Sequence, residues 1–579
     1  MFKKIKKLLS CVGEYKKYAI LTPFVMIGEV AMEVLIPYLM GLIIDNGIRM
    51  SDTVYTVKMG LLMLLCACFS LCCGALCGKL AAIAGMGFAK NVRIRLFDKA
   101  QDFSFGNVDK FSTASLVTRL TTDVTNIQNA FMMIIRTAVR SPVMLICALF
   151  MAIRINASLA EVFLVAIPVL FIVLILIIKV SYPRFQIMLK KYDALNASVQ
   201  ENLAAIRVVK AFVREKFEIN KFNVSADDVR KAQVKAEKVI ILNQPVMQLS
   251  MYGCIVAVLY FGGNLIIGGN MELGQLSSFI SYISQILMSL MQLSMIFIMS
   301  VISLASINRI TEVFEEEIDI TDTDADPVLV PADGSIVFDN VSFSYSGDGG
   351  NLNLENVNLS IKSGETIGII GGTGSSKTTL VQLIPRLYDT TMGTVKVGGH
   401  DVREYKLSNL RNEVAMVLQK NVLFSGTIKD NLRWGDENAT DEQIIEACKQ
   451  AQAHDFVMSF PDGYETDLGQ GGVNVSGGQK QRLCIARALL KKPKIVIMDD
   501  STSAVDTATD AKIRSAFAKE LADTTTIIIA QRISSVQDAD RIIVLNDGKI
   551  NAFDTHDNLL KTNEIYREVY VSQQKGAEE

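Results

Sequence analysis

Thr366-Ile-Gly-Ile-Ile-Gly-Gly-Thr-Gly-Ser-Ser-Lys-Thr-Thr-Leu-Val-Gln-Leu-Ile384 is an apolar run, a glycine-rich loop and a second apolar run in succession. That order reads as strand, loop and helix, the setting that a phosphate-binding loop of the form G-x-x-x-x-G-K-[ST] requires. The backbone N–H groups of Gly371, Gly372, Thr373, Gly374, Ser375 and Ser376, with the positive end of the helix that Thr379 helps to open, are suited to cradle phosphate oxygens. Lys377 is expected to reach the β- and γ-phosphates, and the Thr378 hydroxyl to coordinate magnesium. One position departs from the pattern: Ser376 stands where it has its second glycine.

Working outward, a chain of 579 residues is too long for one hydrophobic core, and at least two domains are expected. Half of the residues are hydrophobic (50%), unusual for a soluble enzyme. A net charge of −2 gives no global attraction to nucleic acid, and no nucleic-acid partner is expected. Seven of the ten cysteines (Cys66, Cys68, Cys72, Cys73, Cys77, Cys147 and Cys254) lie in strongly apolar segments, and they read as small packing residues of helices rather than a disulfide framework or a metal set. The basic, amphipathic start, Met1-Phe-Lys-Lys-Ile-Lys-Lys-Leu-Leu-Ser10, precedes a full-length apolar span without a small-residue cleavage site, and reads as an interfacial helix rather than a signal peptide.

A membrane-spanning helix takes about 20 mainly apolar residues. Candidates lie near 18–43, 57–83, 137–155, 159–180, 238–267 and 275–305, a count of six that puts both ends of this half on one side. The connections 44–56, 154–160 and 268–274 are short and carry only Arg49 and Arg154, whereas 3–17, 84–136 and 181–237 are rich in Lys and Arg. The positive-inside rule then places the termini and both long connections in the cytoplasm. Periodic apolar residues in these connections (Leu96, Phe103, Phe105, Phe111, Leu116, Leu120; Ile206, Val209, Phe212, Phe217) predict helices running past the membrane, with reversals at Phe105-Gly-Asn-Val-Asp109 and Phe217-Glu-Ile-Asn-Lys221. Glu29 and Glu33 share one face of the first span, where they either serve a substrate pathway or pack on a neighbouring helix. Arg136 and Arg140 read as boundary arginines that snorkel, and Asn156-Ala-Ser158 as a chance match to a glycosylation sequon. After residue 310, Glu315-Glu-Glu-Ile-Asp-Ile-Thr-Asp-Thr-Asp-Ala-Asp-Pro327 is acidic and polar and reads as linker.

Beyond the phosphate loop, Lys494-Ile-Val-Ile-Met-Asp-Asp500 is an apolar strand ending in carboxylates, the Walker B form, with Asp499 suited to hold magnesium through water. Between the two lies Val475-Ser-Gly-Gly-Gln479, followed by Lys-Gln-Arg-Leu-Cys-Ile-Ala-Arg487. With these residues the second half resembles the ATP-binding domain of ABC transporters, and nearly the whole chain resembles an ABC exporter half-transporter. The implied fold class is an α-helical membrane domain of six transmembrane helices (1–310), a linker (311–334) and an α/β P-loop ABC ATPase domain (335–579), with ATP and Mg2+ as cofactors.

The resemblance implies roles residue by residue. Tyr345 matches the aromatic that stacks on adenine, and Gln419 the glutamine that links magnesium and the attacking water to the membrane domain. Ser503-Ala-Val-Asp506 matches a segment at the dimer interface, and the two reversals match coupling helices that dock on the ATPase domains. Two ATPase domains are expected to close head to tail, so that Ser476, Gly477, Gly478 and Gln479 serve the nucleotide held by the partner.

Two departures carry most of the information. Asp500 stands where the family has its catalytic glutamate, one methylene short, and a misplacement of about 1 Å can cost on the order of 100-fold in rate. Gln531 stands where the family has its switch histidine; it can bond a γ-phosphate but carries no positive charge. Both changes fall on one composite site, the pattern of the degenerate site in heterodimeric ABC exporters, while the signature is close to consensus. Thr466-Asp-Leu-Gly-Gln-Gly-Gly472 also departs from the more charged form of homodimeric relatives. The expectation is one subunit of a heterodimeric exporter in the cell membrane, multi-pass, with both termini and the ATPase domain cytoplasmic. Its partners are a second half-transporter, membrane lipid and a drug, lipid or peptide substrate. A homodimer using Asp500 as a slow base, and an ATP-gated channel or regulator, are the alternatives.

Overall fold

The computed structural model describes residues 2–323, 325–346, 350–499, 509, 511–513, 515–516 and 523–578. The chain divides into two compact units, one of Met1–Gln101 and Ser112–Glu316, the other of Asp102–Phe111 and Glu317–Glu579.

Every regular element described in the first unit is a helix, and six of its helical segments are long and apolar enough to cross a membrane. Helices solve the backbone problem there, because the hydrocarbon core offers no partner for an open N–H or C=O group. The long helices are α1 (Lys16–Leu42), α2 (Thr53–Gln101), α3 (Val124–Ile155), α4 (Ala157–Ala204), α5 (Asn243–Ile267) and α6 (Leu273–Glu315). At about 1.5 Å per residue, the 48 residues of α4 extend about 72 Å, more than twice a hydrocarbon core of about 30 Å. The helices therefore run on well past the apolar spans, as the periodicity of the connections predicts. Met26, Val30, Val34, Met144, Ala148, Phe163, Phe279 and Ile283 form the buried centre, with the rings of Phe163 and Phe279 stacked 5.4 Å apart. Asn156 is a helix cap: its Oδ1 accepts from the N–H of Leu159 at 3.0 Å and starts α4.

The start of α3 and the end of α6 are fastened by charge. Asp123 is fully buried, accepts from Ser306 at 2.8 Å and is gripped through both carboxylate oxygens by Arg309. Arg119 adds a bond to the Arg309 carbonyl (2.8 Å) and an ion pair with Glu312 (2.9 Å). Helix α6 continues to Glu315, beyond the expected boundary at 310, because Ile310, Val313 and Phe314 are buried along it.

The two expected reversals fare differently. The first is a short helix, Phe105–Phe111, as its position suggests. The second is misplaced: Phe217–Lys221 lies inside the helix Glu215–Ile240, and the chain turns earlier, around the short helix Ile206–Ala211. Val213 takes φ 52° there, and Glu215 and Glu218 supply the acidic first turn that suits a helix start.

The second unit contains the sheets. A four-stranded antiparallel sheet runs in the order β2 (Leu354–Ile361), β1 (Ile336–Phe343), β4 (Met392–Val397), β5 (His400–Asp401). A six-stranded sheet runs β12 (Lys549–Asp554), β11 (Arg541–Asn546), β3 (Thr366–Gly371), β10 (Thr525–Ile529), β9 (Ile495–Asp499), β6 (Val414–Val417). All of its neighbours are parallel except the β11–β12 hairpin. β9 and β10 are buried at every position, which is why they read as unbroken apolar runs rather than alternating ones. The helix Phe105–Phe111 belongs to this unit: buried Asn107 donates to the Glu317 carbonyl at 3.0 Å, and the Tyr388 hydroxyl donates to Asp109 at 2.7 Å.

Candidate functional site

Parallel strands deliver their carboxyl ends to one edge of a sheet, where open α/β folds place their ligands. Four neighbouring strands do so here. β3 leads into the loop 371–376, β10 ends two residues before Gln531, β9 ends at Asp499, and β6 ends two residues before Gln419. Around that edge lies an open cavity of about 590 Å³, lined by residues 370–379, Gln419, Asp499 and Gln531, with Asn353, Ile529 and Val569. Residues far apart in sequence, from Gly371 to Gln531, are thus gathered because β3, β10, β9 and β6 are adjacent in the sheet.

The loop geometry explains its composition. A Cβ at Gly371 would lie 2.3 Å from the Leu545 carbonyl, so β11 approaches too closely for any side chain. Ser376 takes φ 70° and ψ 27°, the left-handed region that glycine occupies freely. A serine there costs about 1–2 kcal/mol of backbone strain. Helix α7 (Lys377–Gln382) begins at the next residue.

Lys377 Nζ donates to the carbonyls of Gly371 and Gly372, each at 2.8 Å, which fixes the ammonium over the loop. The Thr378 hydroxyl donates to Asp499 Oδ1 at 3.0 Å, and Asp499 is only 2% exposed. A hydroxyl and a buried carboxylate held side by side, with the amide of Gln419 on the same wall, are hard oxygen donors of the kind Mg2+ takes. When bound, magnesium would neutralise charge on phosphate oxygens; the residues that would hold it are Thr378, Asp499 and Gln419.

The Tyr345 ring is half exposed and stands edge-on to Tyr388 (5.1 Å) and Phe343 (4.8 Å). Its hydroxyl lies 3.0 Å from that of Thr379 and donates to Gln382 at 3.3 Å, so the ring is fixed to α7. Burial raises its phenol above the ordinary value, which keeps the ring neutral. Tyr388 in turn meets Phe105 edge-on at 6.1 Å. Burial, then the Asp109 carboxylate, raise the Tyr388 phenol too, so Tyr388 remains the donor in that bond. A chain of aromatic contacts therefore joins Tyr345 to the helix Phe105–Phe111.

Asp500 and the segment Ser503–Asp506 lie outside the described residues. Gln531 is exposed on the cavity wall. Its backbone is held by a residue that sequence reasoning missed: Gln573 Nε2 donates to the Gln531 carbonyl, and Gln573 Oε1 accepts from the Ile533 N–H, both at 2.8 Å. Gln573 sits on the C-terminal helix Glu564–Glu578, and no spacing in the sequence ties that helix to β10.

Ser476, Gly477, Gly478 and Gln479 do not line this cavity. They open a separate helix, α8 (Gly477–Leu490), through a reciprocal cap: Ser476 Oγ accepts from the Gln479 N–H, and Gln479 Oε1 from the Ser476 N–H at 2.8 Å. Ser476 and Gly477 are exposed, so the positive N-terminal end of this helix stands open to solvent. Upstream, Gly471 (φ 70°) and Gly472 (φ 65°) shape a left-handed bend. A second cavity of about 330 Å³ lies beside β6, lined by Val422, Phe424, Trp434, Cys484 and Arg487 among others. In it Trp434, 64% exposed, stacks on Phe424 at 4.2 Å.

Comparison with known proteins agrees with this geometry. The family pattern "ABC transporter transmembrane region" matches residues 19–290, and "ABC transporter" matches residues 354–503. The chain is 37% identical to the "Uncharacterized ABC transporter ATP-binding protein YfiB" of Bacillus subtilis, over 98% of both chains. It is 30% identical to an "ATP-dependent lipid A-core flippase" of Desulfotalea psychrophila, over 98% of this chain and 99% of the relative. It is 31% identical to the "Putative multidrug export ATP-binding/permease protein YgaD" of Bacillus subtilis, over the same shares.

Proposed function

Since the chain belongs to the ABC transporters, with that family's transmembrane and ATPase regions in one polypeptide, we propose that it is one subunit of a heterodimeric exporter with a degenerate ATP site. An ABC ATPase domain makes the protein an ATP-hydrolysing membrane transporter; which of two composite sites does the hydrolysis is the proposal. In this reading Lys377, Thr378, Thr379 and the loop 371–376 grip ATP, Tyr345 stacks on its adenine, and Asp499 with Gln419 completes the magnesium shell.

The observation that carries the reading is the company Gln531 keeps. It faces the cavity that holds Lys377 and Asp499, where the family has a histidine able to carry positive charge, and Asp500 replaces the glutamate beside Asp499. Apart from Ser376, the phosphate-holding residues persist at that site while both groups serving the attacking water have changed. The signature, by contrast, stands capped and exposed on α8, away from its own chain's cavity, as a residue set that serves a different nucleotide would. A partner half-transporter would supply a glutamate and a histidine opposite it. Drugs and lipids are the leading substrate classes, by similarity to relatives named for multidrug export and for lipid A-core. Both termini and the ATPase domain are cytoplasmic in this proposal, from the placement of Lys and Arg in the connections.

The test is ATP turnover by the purified chain alone. Slow turnover, far below about 10 per second, is expected, with a strong rise when a competent partner is added. Turnover of tens per second by the chain alone, abolished by Asp500→Asn, would establish the homodimer with Asp500 as base instead.

A further inference from the structure

Within the transmembrane unit, charged groups from two helices meet among apolar side chains, and a third helix adds amides. Arg140 of α3 pairs with Glu33 of α1 at 2.5 Å and with Glu29 of α1 at 3.4 Å. The snorkelling expected of Arg140 from sequence does not occur, because two carboxylates one turn apart pair with it in place. Arg136, one turn earlier, is exposed and pairs with neither. From α6, Gln285 donates its amide to the Glu33 carbonyl at 3.3 Å, and Gln292 accepts from the fully buried Ser141 of α3 at 3.1 Å. On the side of α2, the chain at Gly74 packs close to the Glu29 carboxylate: a Cβ there would meet its carbon and both oxygens at 3.4 Å.

The group is incomplete in one specific sense. The Glu29 side chain is only 9% exposed, and its second oxygen, Oε2, has no hydrogen-bond partner; nor has the buried Oε1 of Gln285. Both orphans are acceptors. A buried acceptor without a donor is destabilising, more so when it is charged. At formal charges the two carboxylates and one guanidinium in contact sum to −1, with the one arginine shared by both carboxylates. What the site lacks is a cationic hydrogen-bond donor.

Resting on the exporter reading above, we propose that Glu29, Glu33 and Gln285, organised by Arg140, bind a protonated amine on the transported molecule, so that the preferred cargo is a cationic amphiphile. An ammonium brings three donors and a positive charge, matching both orphan acceptors and the excess carboxylate. An anionic headgroup would meet two carboxylates, with Arg140 already engaged by both. A polar group at membrane depth is expensive to keep unless it is used, which fits the cluster's place among apolar helices.

The experiment is a fluorescence titration of the full chain in lipid nanodiscs with a dansyl-tagged primary alkylammonium and its N-acetylated and carboxylate analogues of equal chain length. Ammonium binding about 10- to 100-fold tighter than either analogue is expected, the range of one charge-assisted hydrogen bond. In Glu29→Gln the preference should collapse. Equal affinity for the three probes overturns the proposal, as does undiminished preference in a monodisperse Glu29→Gln protein. Should that variant not fold, the probe series on the unaltered chain decides alone. Selective binding without ATP-driven uptake into vesicles, with any partner, would uphold this inference and remove the exporter reading.

Discussion

Ser376 shows what one residue's backbone adds to its identity. In the sequence it is only a departure from a glycine pattern; the φ of 70° shows why glycine suits the position and that serine is strained there. Ser376→Gly should relieve that strain, stabilising the ATPase unit by about 1–2 kcal/mol. The gain would appear as a higher unfolding midpoint in differential scanning fluorimetry and tighter binding of a fluorescent ATP analogue. A lower midpoint would mean that the serine side chain repays more than its backbone costs. The identities of Lys377, Thr378, Asp499, Gln419 and Gln531 were legible because each sits beside a strand end with a recognisable pattern. Gln573 was not, since its role depends on the docking of a helix more than 40 positions away. Arg140 was misread for a similar reason: periodicity places it at the end of a span but says nothing of the carboxylates on a neighbouring helix.

At the scale of elements, the long helices and the core strands follow from apolar runs, whereas the reversals between helices do not. Valine, a poor residue for positive φ, occupies the left-handed position after Ile206–Ala211, so no Gly or Pro marks the second turn. The first turn, Phe105–Phe111, is held to the ATPase unit through Tyr388, which contacts both Asp109 and the ring of Tyr345. Tyr388→Phe keeps the ring contacts and removes only the hydroxyl bond to Asp109. Hydrogen–deuterium exchange should then quicken across residues 105–111 while the protection of β3 and β10 holds. Equal protection in the variant would show that the aromatic contacts alone secure the helix. A bond to a carboxylate in so exposed a place is worth about 1 kcal/mol, which corresponds to roughly a fivefold change in exchange.

On the scale of the whole molecule, the sheet gathers one set of site residues and α8 carries another away from that cavity, and in the proposed exporter a second polypeptide completes each. Six apolar spans and an ATPase domain could be inferred from hydropathy and motif order because both depend on local sequence. The composite site could not be assembled from either, since it depends on strand adjacency and on a neighbour. The cavity beside β6 offers a way to watch that neighbour arrive. Trp434 is the one tryptophan in 579 residues, and it lies open to solvent on the Phe424 ring. Intrinsic emission excited near the red edge of the indole band therefore comes from this single spot. Covering the groove would strip water from the indole, moving its emission to shorter wavelength and shielding it from iodide quenching. Adding a partner half-transporter and ATP should produce both changes, and an unaltered spectrum in a proven complex would show that the groove stays bare. If both changes are seen, Trp434 is an intrinsic optical reporter of assembly with a tryptophan-free partner.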